Sequence, residues 1–261
     1  MTDAVYLPLR KGLFMITCAA RTGSTMLVNF LQSHPQITCH MEIFNPRRVE
    51  GFFGAYRKSI RTDSVYEARM RAIRHGDPTC FLYKFAFDSQ GRRSVGFKFK
   101  YDELLLPVFA RPREIIAGDC DIAIVHLKRR NLLKRYLSWV AVNHVTGRTM
   151  RTTGEEPRKI PPIFIDAEEC LKNFQETKLR EAEVDRIFRQ HQMIDLEYEK
   201  LTGANADGEL GRLQQFLGVV PRSLKTVIAK LSINRLEQEI ANYADLKRKL
   251  ANTPYSEYFQ E

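Results

Sequence analysis

The residues of this chain best suited to chemistry stand in two short basic turns. The first is Arg21-Thr22-Gly23-Ser24-Thr25, inside the stretch MITCAARTGSTMLVNF, and the second is Lys128-Arg129-Arg130, with Ser138 eight residues beyond Arg130. In the first turn a glycine lets the backbone come close to a ligand, Ser24 and Thr25 offer hydroxyl donors, and Arg21 adds a permanently charged fork. If a strand leads into this turn and a helix leaves it, several backbone N–H groups and the positive end of the helix dipole meet there as well. That combination binds anions. The same residues also fit a plain strand-turn-helix connection whose Ser24 or Thr25 caps the helix, and this segment alone leaves both readings standing.

The flanks supply the strand and the helix. Leu13 to Cys18 is a short continuous apolar run, the pattern of a buried parallel strand, and Met26, Leu27, Phe30 and Leu31 recur at helical spacing. A Walker A loop needs a lysine after its last glycine, whereas here the cation precedes the glycine, so a Walker-type nucleotide triphosphatase is not expected. The second turn repeats the arrangement. Asp121 to Leu127 reads as a buried parallel strand, and Leu132, Leu133, Tyr136, Leu137, Val140 and Ala141 carry a helical pattern. At roughly 100° per residue, Arg130 and Ser138 fall within about 80° of each other around the helix axis and can face one ligand. The competing reading has Ser138 bonded to the carbonyl of residue 134 and Arg130 solvated. Two anion sites at one edge of a sheet suit a ligand with two separated phosphate-like groups.

The other elements alternate between strand and helix. Ile37 to Phe44 reads as a short strand or extended loop, Ser64 to His75 as a helix, and Val95 to Tyr101 as a half-exposed strand with Lys98 and Lys100 on its solvent side. Residues 148–162 read as an exposed loop, either gating the site or merely connecting. Asp166 to His191 reads as helix, Met193 to Leu196 as strand and Gly208 to Leu217 as helix. This order predicts one α/β domain over residues 1–261, a mostly parallel open sheet flanked by helices with a P-loop-like phosphate-binding turn. In such sheets ligands bind at the C-terminal ends of the strands, where both basic turns fall.

Composition sets the outer bounds. The chain has 261 residues, 44% hydrophobic and 28% charged, ordinary values for a globular protein. Five scattered cysteines and six scattered histidines show no metal-ligand spacing, so no metal is expected. No apolar run approaches the roughly 18 residues of a membrane span, and the first residues lack the apolar core of a signal peptide, which reads as a soluble, cytoplasmic protein. The net charge of +10 favours anionic partners, but its residues are spread too evenly to form a nucleic-acid stripe. Peripheral contact with an anionic membrane remains open, and the oligomeric state is not legible.

Four segments together carry a family resemblance. AARTGSTML resembles the 5′-phosphosulfate loop of sulfotransferases that use 3′-phosphoadenosine 5′-phosphosulfate (PAPS), and the spacing from Arg130 to Ser138 resembles their 3′-phosphate motif. LEYEKLTGANADGELGRLQQFLGV resembles the family's YE segment and FLG helix. IANYADLKRKLANTPYSEYF resembles the tail of the bacterial carbohydrate branch, which includes trehalose, Nod-factor and lipopolysaccharide sulfotransferases. The resemblance implies that PAPS donates a sulfuryl group to the hydroxyl of a carbohydrate or glycolipid. It also implies that Arg21 stands where many members have a lysine touching the bridging oxygen, that Arg21, Thr22, Gly23, Ser24 and Thr25 hold the 5′-phosphosulfate, and that Arg130 with Ser138 holds the 3′-phosphate. Glu42, in CHMEIFNP, falls where the bacterial branch keeps its general base; a carboxylate beside Met41, Ile43 and Phe44 calls for a purpose. His40 is the rival base, read as structural. Lys98 is a candidate contact to the substrate or the sulfonate, against a solvated strand face, and Tyr198 is either a ligand contact or core. Two other classes compete: a P-loop phosphotransferase, which needs a Mg²⁺ site and a lysine cradle, and a non-catalytic binder of nucleic acid or anionic membrane.

Overall fold

Five parallel strands carry the molecule. The computed structural model describes residues 12–147, 150–156, 160–230 and 235–260. The strands are β1 (Leu13–Cys18), β2 (Ile37–His40), β3 (Ser94–Lys98), β4 (Ile122–Lys128), the short β5 (Arg151–Thr152), β6 (Met193–Glu197) and the short β7 (Ile228–Ala229). The main sheet runs β2-β3-β1-β4-β6, and every neighbouring pair is parallel. Successive strands lie on one side of β1 up to β3 and then cross to its other side with β4. The crevice of such a sheet opens at this reversal, beyond the end of β1.

The longer helices among the described residues are α1 (Ser24–Gln32), α2 (Ser64–Gly76), α3 (Ala110–Gly118), α4 (Leu132–Val140), α5 (Ala167–Ile187), α6 (Ala206–Phe216) and α7 (Tyr243–Leu250). Alternate residues of each strand point to opposite faces, so each face of the sheet has its own core. Phe14, Ile16, Val125 and Leu127 pack with Leu27 and Leu31 of α1 and with Leu210 and Leu213 of α6. Met15, Ile124 and Phe97 pack with Phe44, Phe81, Phe99 and Phe109. A third cluster joins α4, α5 and α7 through residues such as Leu133, Phe174 and Leu246. None of the described helices is long and apolar enough to cross a membrane.

The sequence reading needs correction at β3. Its alternating Phe and Lys suggest a half-exposed strand, yet all five of its residues are buried. β3 is an inner strand between β1 and β2, its Val95 and Phe97 pack into the phenylalanine core, and Lys98 is buried with its charge matched by a carboxylate. The expected loop at 148–162 is also partly structured, since β5 pairs antiparallel with β7. Residues 148, 149 and 157–159 of that loop lie outside the described residues.

Candidate active site

All five strands of the main sheet deliver side chains to one cleft at their C-terminal ends. The cleft encloses about 1590 Å³, more than the roughly 300–1,000 Å³ of a single small-ligand pocket. The space exceeds that of one small molecule. Its lining includes Arg21, Gly23, Ser24, Thr25, Glu42, Lys98, Arg130, Ser138 and Tyr198, and it carries nine Lys and Arg against six Asp and Glu. Of the residues expected at the site, only Thr22 does not line it.

The loop after β1 presents a cation, a glycine and two hydroxyls to the cleft. Arg21 at φ 67 and Gly23 at φ 84 are both left-handed, which turns the chain sharply into α1. No side chain caps α1, and no acidic residue stands in its first turn, which leaves its leading N–H groups without a side-chain partner where Gly23 to Met26 line the cleft. Thr22 is turned inward, its hydroxyl donating to the Ala19 carbonyl at 2.6 Å, which leaves its backbone N–H as the group it can offer a ligand. Tyr198 packs on Gly23, and the Arg129 guanidinium lies 4.6 Å above the Tyr198 ring. Arg129 also donates to the Arg21 carbonyl at 3.1 Å. Arg135, buried in α4, donates to the Ala20 carbonyl at 3.2 Å and to Thr177 Oγ1 of α5 at 2.9 Å.

The two basic turns meet. Arg21 Nε donates to Ser138 Oγ at 3.1 Å, so the serine in α4 faces the first turn rather than the carbonyl of residue 134. Arg130 is exposed at the mouth of the cleft. Its backbone N–H and that of Asn131 donate to the Glu199 carboxylate, at 3.0 and 3.1 Å, while the Asn131 side chain caps α4. Burial and then the neighbouring Arg129 lower the Arg21 guanidinium from its ordinary value, and burial lowers Arg129 likewise. A region that weakens its own cations is one where an anion is welcome.

Glu42 follows β2 and is held by what surrounds it. Ile43 and Phe44 are fully buried; Phe44 stacks on Phe99 with ring centroids 4.3 Å apart, and the buried Arg74 donates to the carbonyls of Ile43 and Asn45 at 2.8 and 2.9 Å. The carboxylate between these anchors faces two ammonium groups, Lys98 Nζ at 2.8 Å and Lys100 Nζ at 3.0 Å. Burial would raise the Glu42 carboxyl, but the two lysines outweigh it and bring it down to about 2. Lys100 is shared with Glu103 at 3.1 Å. Burial pushes Glu103 up to about 7 despite that lysine. His40 is fully buried, its Nδ1 accepts from the Phe53 N–H at 3.0 Å, and burial lowers it to about 3. It lies outside the cleft lining.

Several residues of this site escape sequence reading. Arg129 stands in a run of three cations in which Arg130 drew notice by its spacing to Ser138. Glu199 and Arg135 act across more than 60 residues of sequence, as does the Lys98–Thr25 contact at 3.3 Å. Glu103 follows Lys100 by three residues, a spacing that signals a local pair, and its link to Glu42 appears only in three dimensions. Away from the cleft, β4, α5 and β6 bring His126, Asp185 and Asp195 within metal-ligand reach of one another. Lys128 Nζ lies 2.9 Å from Asp195 and 3.4 Å from Asp185, so an ammonium already supplies the positive charge there.

An open parallel sheet with a glycine-bearing basic turn after its central strand, a second cationic turn beside it and a carboxylate held by two lysines opposite makes a cleft suited to an anionic group. The chain matches the sulfotransferase family over residues 14–221, and it belongs to that family. Among solved structures it is similar to a sulfotransferase from Alicyclobacillus acidocaldarius, with 20% identity, 94% of this chain and 90% of that chain covered, and a TM-score of 0.51. It also aligns with the sulfotransferase domain of the Synechococcus PCC 7002 olefin synthase, with 15% identity, coverage of 94% and 86%, and a TM-score of 0.35. A mouse sulfotransferase complexed with PAP aligns with 10% identity, coverage of 97% and 90%, and a TM-score of 0.39. No curated protein matches the chain.

Proposed function

We propose that this sulfotransferase moves a sulfuryl group from PAPS to a hydroxyl of a carbohydrate or glycolipid, with Glu42 as the general base. The observation that carries the reading is the bond from Arg21 to Ser138, which joins the expected 5′- and 3′-phosphate turns at one cleft. The residues present fit such a donor. The uncapped start of α1, Ser24, Thr25, Arg21 and Lys98 surround one anion position, and Arg130 with Ser138 a second; Arg129 Nε, buried beside them, has no hydrogen-bond partner. PAPS supplies a sulfuryl group already bonded to a phosphate leaving group. Glu42 takes the proton of the attacking hydroxyl as its oxygen bonds to sulfur. Arg21 and Lys98 steady the negative charge that gathers on the phosphate oxygen as the old sulfur–oxygen bond breaks.

The resemblance of the C-terminal segment to the bacterial carbohydrate branch supports a sugar-bearing acceptor. So does the rim beyond Glu42, where Asn45, Arg48, Glu50 and Asp102 line the cleft and offer polar contacts to hydroxyl groups. Thermal unfolding with added ligand tests the donor. 3′-Phosphoadenosine 5′-phosphate (PAP) at a hundred times its dissociation constant adds about 2.7 kcal/mol of stability. Stabilisation by ATP with magnesium, or by an oligonucleotide, with none by PAP would instead support a phosphotransferase or a nucleic-acid binder.

A further inference from the structure

Glu42 is the group asked to take a proton, yet two ammonium groups hold its carboxylate, Lys98 on Oε1 and Lys100 on Oε2. The two lysines differ in what else they touch. Lys100 has a second carboxylate, Glu103, and is anchored whatever happens at Glu42. The Lys98 side chain is only 1% exposed. Its ion pair is with Glu42, and its other polar contact is the Thr25 hydroxyl at 3.3 Å, in the first turn of α1. One buried ammonium therefore stands between the carboxylate and the anion position.

We propose that Lys98 couples donor binding to the base: in the free enzyme its ammonium pairs with Glu42 and suppresses it, and an anion seated at Thr25 draws the ammonium away and frees Glu42 to accept a proton. This rests on the functional reading above. No buried cation is created by the exchange, because Lys98 trades a carboxylate for a phosphate or sulfonate oxygen, while Lys100 keeps its contact to Glu103, which is ionised above about pH 7. The charged groups facing Glu42 are Lys98 from β3, Lys100 and Glu103 from the segment after it, and Arg21 from the loop after β1. Cys18, at the end of β1, stays neutral, since burial pushes its thiol up to about 11. Of these groups Lys98 alone touches both Glu42 and Thr25. The consequence is an ordered enzyme: an acceptor that arrives before the donor meets a carboxylate too weak to take its proton.

The test follows the Glu42 carboxyl by carbon NMR in protein labelled at the glutamate side chains, with the signal assigned through Glu42→Gln. The pH is varied from about 1 to 8, so that a midpoint near 2 falls inside the range, with and without saturating PAP, in wild type and in Lys98→Met. PAP is expected to raise the wild-type midpoint by about one pH unit or more, the size of shift a departing neighbour charge produces. In Lys98→Met the midpoint is already high without PAP, and PAP adds less than half the wild-type rise. A midpoint unmoved by bound PAP, or an equal rise in Lys98→Met, overturns the proposal while leaving the functional reading intact. Failure of PAP to bind at all overturns both. Should Lys98→Met not fold, a crystal structure of the wild-type PAP complex decides: Lys98 bonded to the PAP phosphate and parted from Glu42 supports the proposal, and the pair still closed overturns it.

Discussion

Replacing Gly23 by alanine puts a methyl group where the Tyr198 ring already lies. A Cβ built on Gly23 stands 2.4 Å from Tyr198 Cδ2 and 2.6 Å from Cε2, distances that no real packing tolerates. The backbone adds to the cost, because φ at Gly23 is 84°, and a left-handed conformation disfavours an L-residue by about 1–2 kcal/mol. The ring has little room to retreat. Arg129 lies over it and is itself tied to the Arg21 carbonyl, so forced repacking adds about 1–3 kcal/mol. Together these cost about 2–5 kcal/mol, which for a chain of this size lowers the melting temperature by roughly 5–15 °C. PAP affinity should fall with stability, by about tenfold or more, because the distorted turn is the one that presents its N–H groups to the anion. Calorimetric melting and PAP titration of Gly23→Ala measure both effects, and Gly23→Ala with Tyr198→Ala should recover the part due to the ring. A melting temperature within about 2 °C of wild type, with unchanged PAP affinity, would refute the reasoning.

Other perturbations follow from the same geometry. Arg130→Ala should weaken PAP strongly and barely alter binding of adenosine 5′-phosphosulfate, which lacks the 3′-phosphate; equal losses for both ligands would remove Arg130 from that role. Glu103 has a folded-state pKa near 7, above its ordinary 4.5. Its contribution is therefore fully present below about pH 4.5 and is lost as pH rises through about 7, by an amount on the order of 2–3 kcal/mol. Glu103→Gln should flatten that decline in a chemical-denaturation series across pH, and an unchanged slope would contradict the buried, proton-retaining Glu103. Glu42 has the opposite sign, with a folded-state pKa near 2, so Glu42→Gln should remove stability above about pH 4.5 and make the acid-side loss shallower.

Local pattern made the sheet and the place of its two basic turns legible, and long-range pairing hid the rest. The apolar runs at Leu13 to Cys18 and Asp121 to Leu127 have few ways to be buried other than as central parallel strands, and both are. Arg130 and Ser138 both line the cleft, but Asn131 caps α4, so Arg130 precedes the helix and helical periodicity does not set its direction. Periodicity misled at β3. The alternation of Phe97 and Phe99 with Lys98 and Lys100 mimics a solvated face, and the carboxylate that lets Lys98 be buried sits at Glu42, more than fifty residues earlier. The 148–162 segment reads as loop because the partner of β5 lies at Ile228–Ala229, and a two-residue strand has no pattern of its own. Glu199 is silent for the same reason: a carboxylate that accepts from the N–H groups of Arg130 and Asn131 looks in sequence like any surface glutamate.

The central claim is sulfuryl transfer from PAPS with Glu42 taking the proton, and single-turnover transfer from sulfur-labelled PAPS tests it most directly. Wild-type protein and a folded Glu42→Gln variant are each loaded with the donor and mixed with a panel of sugar, glycolipid and phenol acceptors. The account predicts label on a sugar hydroxyl with wild type, and a rate lower by roughly a hundredfold to ten-thousandfold in Glu42→Gln with PAPS affinity retained, because the proton moves only in the transition state. Transfer by Glu42→Gln at close to the wild-type rate would contradict it, as would a donor-loaded wild-type protein that passes its sulfur to no hydroxyl in the panel.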